Sequence, residues 1–180
     1  MTTRQTSDAR REALVAAAMS AFARSGLHGT AVKAVTDAVG VTQPYAFSLF
    51  GTKKGLFLAT IEYCFDRVVD TFEAAAAKAP EGERLGAMGT AYADLLEDRD
   101  TLLFQLQAYA ASGDDEVREV VSRRYHELYE LVQELSGVDD DQTRAFLATG
   151  MLCNLAVTLN LTELVPEKFR EKVAFGTRDT

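Results

Sequence analysis

In the stretch IEYCFDRVVDTFEAAAAK, apolar residues fall at Ile61, Cys64/Phe65, Val68/Val69, Phe72 and Ala75/Ala76, with Asp66, Arg67, Asp70 and Glu73 between them. This i, i+3/4, i+7, i+11 stripe belongs to an amphipathic helix with one face turned to a core. No segment sustains the strict alternation of a half-buried strand, so no sheet is expected and the fold class is all-α. The spacing predicts helices near 7–25, 31–38, 42–49, 54–78, 83–97, 100–111, 114–136, 139–163 and 166–175.

Several of these ends have chemical reasons. Pro44, Pro80 and Pro166 each fall where a helix begins or a connection runs, since proline lacks an N–H and suits a first turn. Gly26, Gly113 and Gly137 can adopt the left-handed conformation that stops a helix. Asp114-Asp115-Glu116 and Asp139-Asp140-Asp141 put negative charge at predicted helix starts, where the helix dipole favours it. Their spacing suits no metal loop, so capping is the expected role.

The segments DDEVREVVSRRYHELYELVQELS and DDQTRAFLATGMLCNLAVTLNL predict two helices of ~33 Å each at 1.5 Å rise per residue. The second is apolar around most of its circumference over Met151–Leu161, with Ala148 and Gly150 permitting close approach. Such a helix needs cover on more than one side, and a partner subunit is a natural cover. Asn154 stands out in that apolar run, with pocket, interface and satisfied core all open to it.

With 180 residues and 47% hydrophobic content, the chain can bury a core without metals or disulfides. Cys64 and Cys153 match no metal or redox spacing and read as core thiols. The N-terminal residues lack the layout of a signal peptide, and no apolar run approaches the ~20 residues of a membrane span, so a soluble, cytoplasmic protein is expected. Charge divides unevenly. Residues 1–54 carry Arg4, Arg10, Arg11, Arg24, Lys33, Lys53 and Lys54 against Asp8, Glu12 and Asp37, a net of +4, whereas the remainder carries −12. One end of an acidic protein could therefore meet a polyanion.

Within that end, GVTQPYAFSLFGTKKGLF has the layout of a helix-turn-helix. Val32, Val35 and Val39 supply an apolar face, Gly40 makes the turn, Val41 plugs it, and Thr42 can cap the next helix. Ala46, Leu49 and Phe50 then face inward, leaving Gln43, Pro44, Tyr45 and Ser48 outward near the helix start, where a recognition helix meets base edges. Tyr45 and Phe47 can alternatively be core aromatics.

From Glu12 to Ile61 the sequence resembles the DNA-binding domain of the TetR family of transcriptional regulators. Ala17-Ala18, Phe22, Gly26, Thr30, Gly40-Val41-Thr42, Phe47, Phe50 and Thr52-Lys53 match the family pattern in order. The resemblance implies an N-terminal three-helix DNA-binding domain over residues 1–53 and a helical effector-binding and dimerisation domain over 54–180. It implies backbone contacts from Thr30, Thr42 and Lys53, and a groove-facing set of Gln43, Pro44, Tyr45, Phe47 and Ser48. Three positions depart from the pattern: Phe47 where tyrosine is common, Ser48 where a longer basic residue is common, and Thr36 in place of a small alanine.

The expected partners are a double-stranded DNA operator, an unidentified small-molecule effector and a second copy of the chain, joined through the helices near 114–136 and 139–163. Phe65, Met88, Tyr92, Phe104, Gln107, Tyr109 and Asn154 are candidate effector-binding residues, since large apolar side chains with a few polar tips suit a cavity between helices. They equally suit any helical core. The chain has two histidines, His28 and His126, and no H-E-x-x-H, G-x-S-x-G or Walker-type loop, so neither enzyme nor cofactor protein is expected. With what the resemblance implies, the expected function is a sequence-specific DNA-binding transcriptional regulator, a repressor released from its operator by a small hydrophobic or amphipathic effector. An acidic helical ligand-binding or scaffold dimer with a non-functional helix-turn-helix is the alternative.

Overall fold

A computed structural model of the chain describes residues 2–173. Among these the helices are α1 (Thr2–Gly29), α2 (Val32–Val39), α3 (Gln43–Phe50), α4 (Lys53–Ala76), α5 (Arg84–Leu95), α6 (Arg99–Ala110), α7 (Asp115–Ser136), α8 (Asp140–Thr158) and α9 (Glu167–Val173), with no strand. The fold is all-α, as the periodicity requires, and residues 174–175 of the last predicted helix lie outside the described part.

Helix ends follow the local chemistry with three corrections. Gly26 (φ 64°, ψ −177°) breaks α1 without ending it, and the helix resumes to Gly29. Gly113 is not left-handed; it closes a 3-10 turn, and Asp114 then accepts the backbone N–H groups of Glu116 and Val117 at 3.1 and 3.3 Å. Asp139 caps α8 in a reciprocal box with Gln142, each side chain accepting the other's backbone N–H.

The third correction concerns the length of α8, which stops at Thr158 rather than near 163. Asn160 takes a left-handed φ of 59°, and the N–H groups of Asn160 and Leu161 donate back to Val157 and Ala156. That pair of bonds is the glycine-type helix stop, here formed by asparagine, the other residue that tolerates it.

The chain divides into two compact units, Met1–Cys64 with Leu103–Ser122, and Phe65–Leu102 with Arg123–Thr180. The boundary expected at 53/54 does not coincide with this division. In the first unit, Phe22 of α1, Phe57 of α4 and Phe104 of α6 meet edge-on, with Phe22–Phe57 and Phe57–Phe104 centroids 4.9 and 5.4 Å apart. All three are fully buried, and such pairs add stability beyond the area they cover. The core of the second unit holds Ala93, Leu96, Leu102, Cys153, Ala156, Val165 and Phe169, which tie α5, the start of α6, α8 and α9 together. There Phe72 lies edge-on to Tyr92 and Phe146.

Candidate nucleic-acid interface

The turn between α2 and α3 is built as the sequence implies. Gly40, at φ 71°, donates its N–H to Asp37, while the Val41 N–H reaches Thr36 at 3.0 Å. Val32 and Val35 are buried and Val39 is half-buried. Thr36 is buried without an orphaned hydroxyl, because its Oγ donates to the Lys33 carbonyl at 3.0 Å. The unusual threonine therefore fits this helix.

Thr42 is extended and exposed, and its Oγ accepts the Tyr45 N–H at 3.4 Å, so it caps α3 from outside. Ala46 anchors the inner side. Pro44, Ser48 and Phe47 are exposed, the last at 40%, and Gln43, Tyr45, Leu49 and Phe50 are half-buried. The question left open for Phe47 is thus answered: the ring points outward rather than into a core. Ser48 spends its hydroxyl on the Tyr45 carbonyl at 2.7 Å.

Behind α3 the backbone turns abruptly. Gly51 (φ 72°, ψ −57°) forms a γ-turn in which the Thr52 N–H reaches the Phe50 carbonyl at 2.8 Å. Thr52 caps α4 by accepting the Gly55 N–H at 2.9 Å. Gly55 lies so close to α3 that a Cβ there would stand 2.0 Å from the Phe50 oxygen. No larger residue fits this approach, which fixes where α3 sits on α4.

The neighbouring hydroxyl and basic side chains have partners within the chain. Thr30 is only 5% exposed and donates its Oγ to the carbonyls of Gly26 (2.8 Å) and Ala21 (3.2 Å), so its hydroxyl is turned inward rather than offered to a phosphate. Lys53 donates to the carbonyls of His28 and Thr30 at 2.9 and 3.2 Å, clasping the end of α1. Two of its three N–H groups are thus engaged inside the chain. Lys54 pairs with Asp114 and Glu116 at the start of α7, at 3.2 and 2.5 Å. The Glu116 and Asp114 carboxylates raise the Lys54 pKa, and the Val117 N–H together with Lys54 lowers that of Asp114. Lys33 pairs with Asp37 one turn away at 2.6 Å.

The effector candidates divide between the two units. Phe104, Gln107 and Tyr109 belong to the first. Phe104 packs in the aromatic core, the role that the sequence left open beside a cavity-lining one, and the Gln107 amide lies against Gly26. Phe65, Met88, Tyr92 and Asn154 belong to the second. Met88 and Asn154 are fully buried, the Asn154 oxygen accepts from Thr158 at 3.4 Å, and Phe65 lies edge-on to Tyr125. Among the described residues no group of three His, Cys, Asp or Glu could hold a metal, and no helix is long and apolar enough to cross a membrane.

Comparison with known proteins places this geometry. Residues 14–60 match the family model of bacterial regulatory proteins, tetR family. A TetR family transcription regulator from Marinobacter aquaeolei VT8 superposes with a TM-score of 0.72 at 19% identity, covering 96% of this chain and 95% of its own. A TetR-family transcriptional regulator from Streptomyces coelicolor gives 0.68 at 22% identity, with 92% and 93% covered. A TetR-family member from Streptomyces coelicolor A3 gives 0.69 at 24% identity, with 92% and 96% covered. At these identities the likeness is one of fold. No curated protein matches the chain.

Proposed function

From the match of residues 14–60 to the model of bacterial regulatory proteins, tetR family, we propose that the chain is a dimeric, cytoplasmic repressor that leaves its DNA operator when a small hydrophobic or amphipathic effector binds. The observation that carries this reading is the outer side of α3. Thr42 caps it from solvent, and Pro44, Phe47 and Ser48 are exposed beside half-open Gln43 and Tyr45. A helix start bared in this way can enter a major groove with its first residues against base edges. The role carries no catalytic step and no cofactor.

A dimer is supported by α8, whose exposed face runs through Ala145, Ala148, Leu152 and Leu155 and continues to Leu159 just past its end. Spaced at i, i+3/4 and i+7, these form one apolar seam. The outward positions of α7 are polar or charged instead, with Arg123, His126, Glu127 and Glu130. The seam therefore favours α8 at the centre of a two-fold contact, with α7 flanking it. Effector release requires that the ligand bind the two states of the regulator with different affinity.

The test is a gel shift of genomic fragments at low and moderate salt. Selective binding that weakens with salt supports a regulator, since phosphate contacts release counterions. Tyr45→Ala or Gln43→Ala should each cost about 1–3 kcal/mol of operator preference if the residue reads a base edge. The internal engagement of Lys53 and Lys54 favours the second reading, a helical scaffold dimer whose helix-turn-helix is silent. Indifference of the wild-type chain to every duplex would establish that reading instead.

A further inference from the structure

The cations of the first unit are unequally occupied. Lys33 and Lys54 have carboxylate partners, and Lys53 is held on two carbonyls. Among the described residues, Arg10 and Arg11 on α1 pair with no carboxylate, and both are exposed. Arg11 is not loose, however. Its guanidinium carbon sits 5.2 Å from the centroid of the Phe50 ring, at the last residue of α3.

Two geometric points follow. Gln43, Phe47 and Phe50 recur at i, i+4 and i+7, so they form one row along α3, and Arg11 stands over the final member. A guanidinium held over a ring is attracted to its electron-rich face without a hydrogen bond to a carboxylate or carbonyl, which leaves its N–H donors unspent. Those donors match the paired oxygens of a phosphate. The sequence placed Arg11 only among the basic residues of the positive end and gave no sign of its contact with Phe50.

We propose that Arg11, seated on the Phe50 ring, is a phosphate-binding residue that clamps the DNA backbone at the end of the α3 row, with Phe50 as its positioning residue. The inference rests on the DNA-binding reading above. It shifts the free positive charge of the interface from Lys53 and Lys54 to α1. A stacked arginine is already ordered before DNA arrives, so less side-chain freedom is lost when the phosphate is engaged.

The experiment uses the full chain, a genomic duplex recovered by gel-shift selection, and a mixed-sequence duplex of the same length. Affinities are measured by fluorescence anisotropy over a series of salt concentrations. Arg11→Ala should weaken binding to both duplexes about tenfold, the loss of one charge-assisted hydrogen-bonded contact. It should also flatten the salt dependence by about 0.9 per protomer. Phe50→Leu, which keeps an apolar side chain and removes the ring, should lose most of the same affinity, and the double variant should lose little more than Arg11→Ala alone. Arg10→Ala removes a neighbouring charge of the same sign without touching the ring, and should lose less.

Arg11→Ala with wild-type affinity and salt slope overturns the proposal, as do equal losses for Arg10→Ala and Arg11→Ala. A Tyr45→Ala control separates the two readings. If it loses operator preference while Arg11→Ala changes nothing, the DNA-binding function stands and the arginine clamp falls. If the wild-type chain binds neither duplex, both fall.

Discussion

Replacing Gly55 by alanine should destabilise the protein, although the same change in most helices stabilises them. An added Cβ would lie 2.0 Å from the Phe50 carbonyl oxygen, whereas real contacts of this kind stay at or beyond 3.0 Å. Backbone must therefore move by about 1 Å, since neither atom is the end of a flexible side chain. Moving Phe50 strains its bond from the Thr52 N–H, and moving Gly55 strains its own bond to the Thr52 hydroxyl. Crowding of this kind costs about 1–3 kcal/mol, with about 1 kcal/mol more for a lost hydrogen bond. Alanine's better helix propensity returns about 1 kcal/mol. The net loss is about 1–3 kcal/mol, a fall in Tm of roughly 2–12 °C for a chain of this size. Circular dichroism melting reads it, with Gly86→Ala as the control. Gly86 lies in the first turn of α5 with nothing within 4 Å of the added methyl, so that variant should gain up to about 1 kcal/mol. A Gly55→Ala protein that melts at or above wild type would refute the close approach and with it the seating of α3 on α4.

Thr42→Ala removes the cap of α3 and should cost about 0.5–1 kcal/mol, at the lower end for such caps because its bond is long; melting measures this, and an unchanged Tm would deny the cap. Phe104→Ala should cost about 3–5 kcal/mol by emptying the space between Phe22 and Phe57, and a loss under 1 kcal/mol would contradict a packing role. Burial opposes ionisation of Asp98, yet hydrogen bonds from Arg67 and Thr101 outweigh it and hold the carboxyl below its ordinary value. Its stabilising contribution should be complete above about pH 4 and fade as the pH falls through the folded-state value. Melting from pH 2 to 6 should show an acid loss that is shallower in Asp98→Asn, and equal slopes would refute the assignment.

How much was legible in the chain depended on how local the signal was. Helix periodicity needs only neighbours three and four residues away, so the helices and the Gly40 turn could be read directly. The length of α8 was misread because its apolar run continues to Leu161 while the backbone stops at Asn160, and hydrophobicity alone does not mark a left-handed residue. Thr30 was legible as a matched position but not as a buried one, since the hydroxyl's choice between phosphate and the Gly26 carbonyl is made by folded geometry. The Lys54 partners stand about 60 residues away; the acids at 114–116 were visible as helix caps, and nothing in their spacing identified the lysine they would meet. The stacking of Arg11 on Phe50 was equally hidden, joining α1 to α3 across a tertiary contact.

These partners change what a mutation at Lys53 can reveal. Its ammonium holds the His28 and Thr30 carbonyls, which lie at the end of α1 and just before α2. Lys53→Ala therefore removes a charge and a clasp together. If Lys53 also meets a phosphate through its remaining N–H, the variant should weaken binding to all duplexes alike and flatten the salt dependence by about 0.9 per protomer. If the clasp is its whole contribution, affinity and Tm should fall together while the salt slope stays at the wild-type value, because no counterion-releasing contact has been lost. Lys53→Met distinguishes the cases further: it keeps the long stem, loses the charge, and should reproduce the slope change only under the phosphate assignment. A flattened slope with an unchanged melting temperature would show that the carbonyl bonds contribute nothing to holding the head, and would refute the clasp.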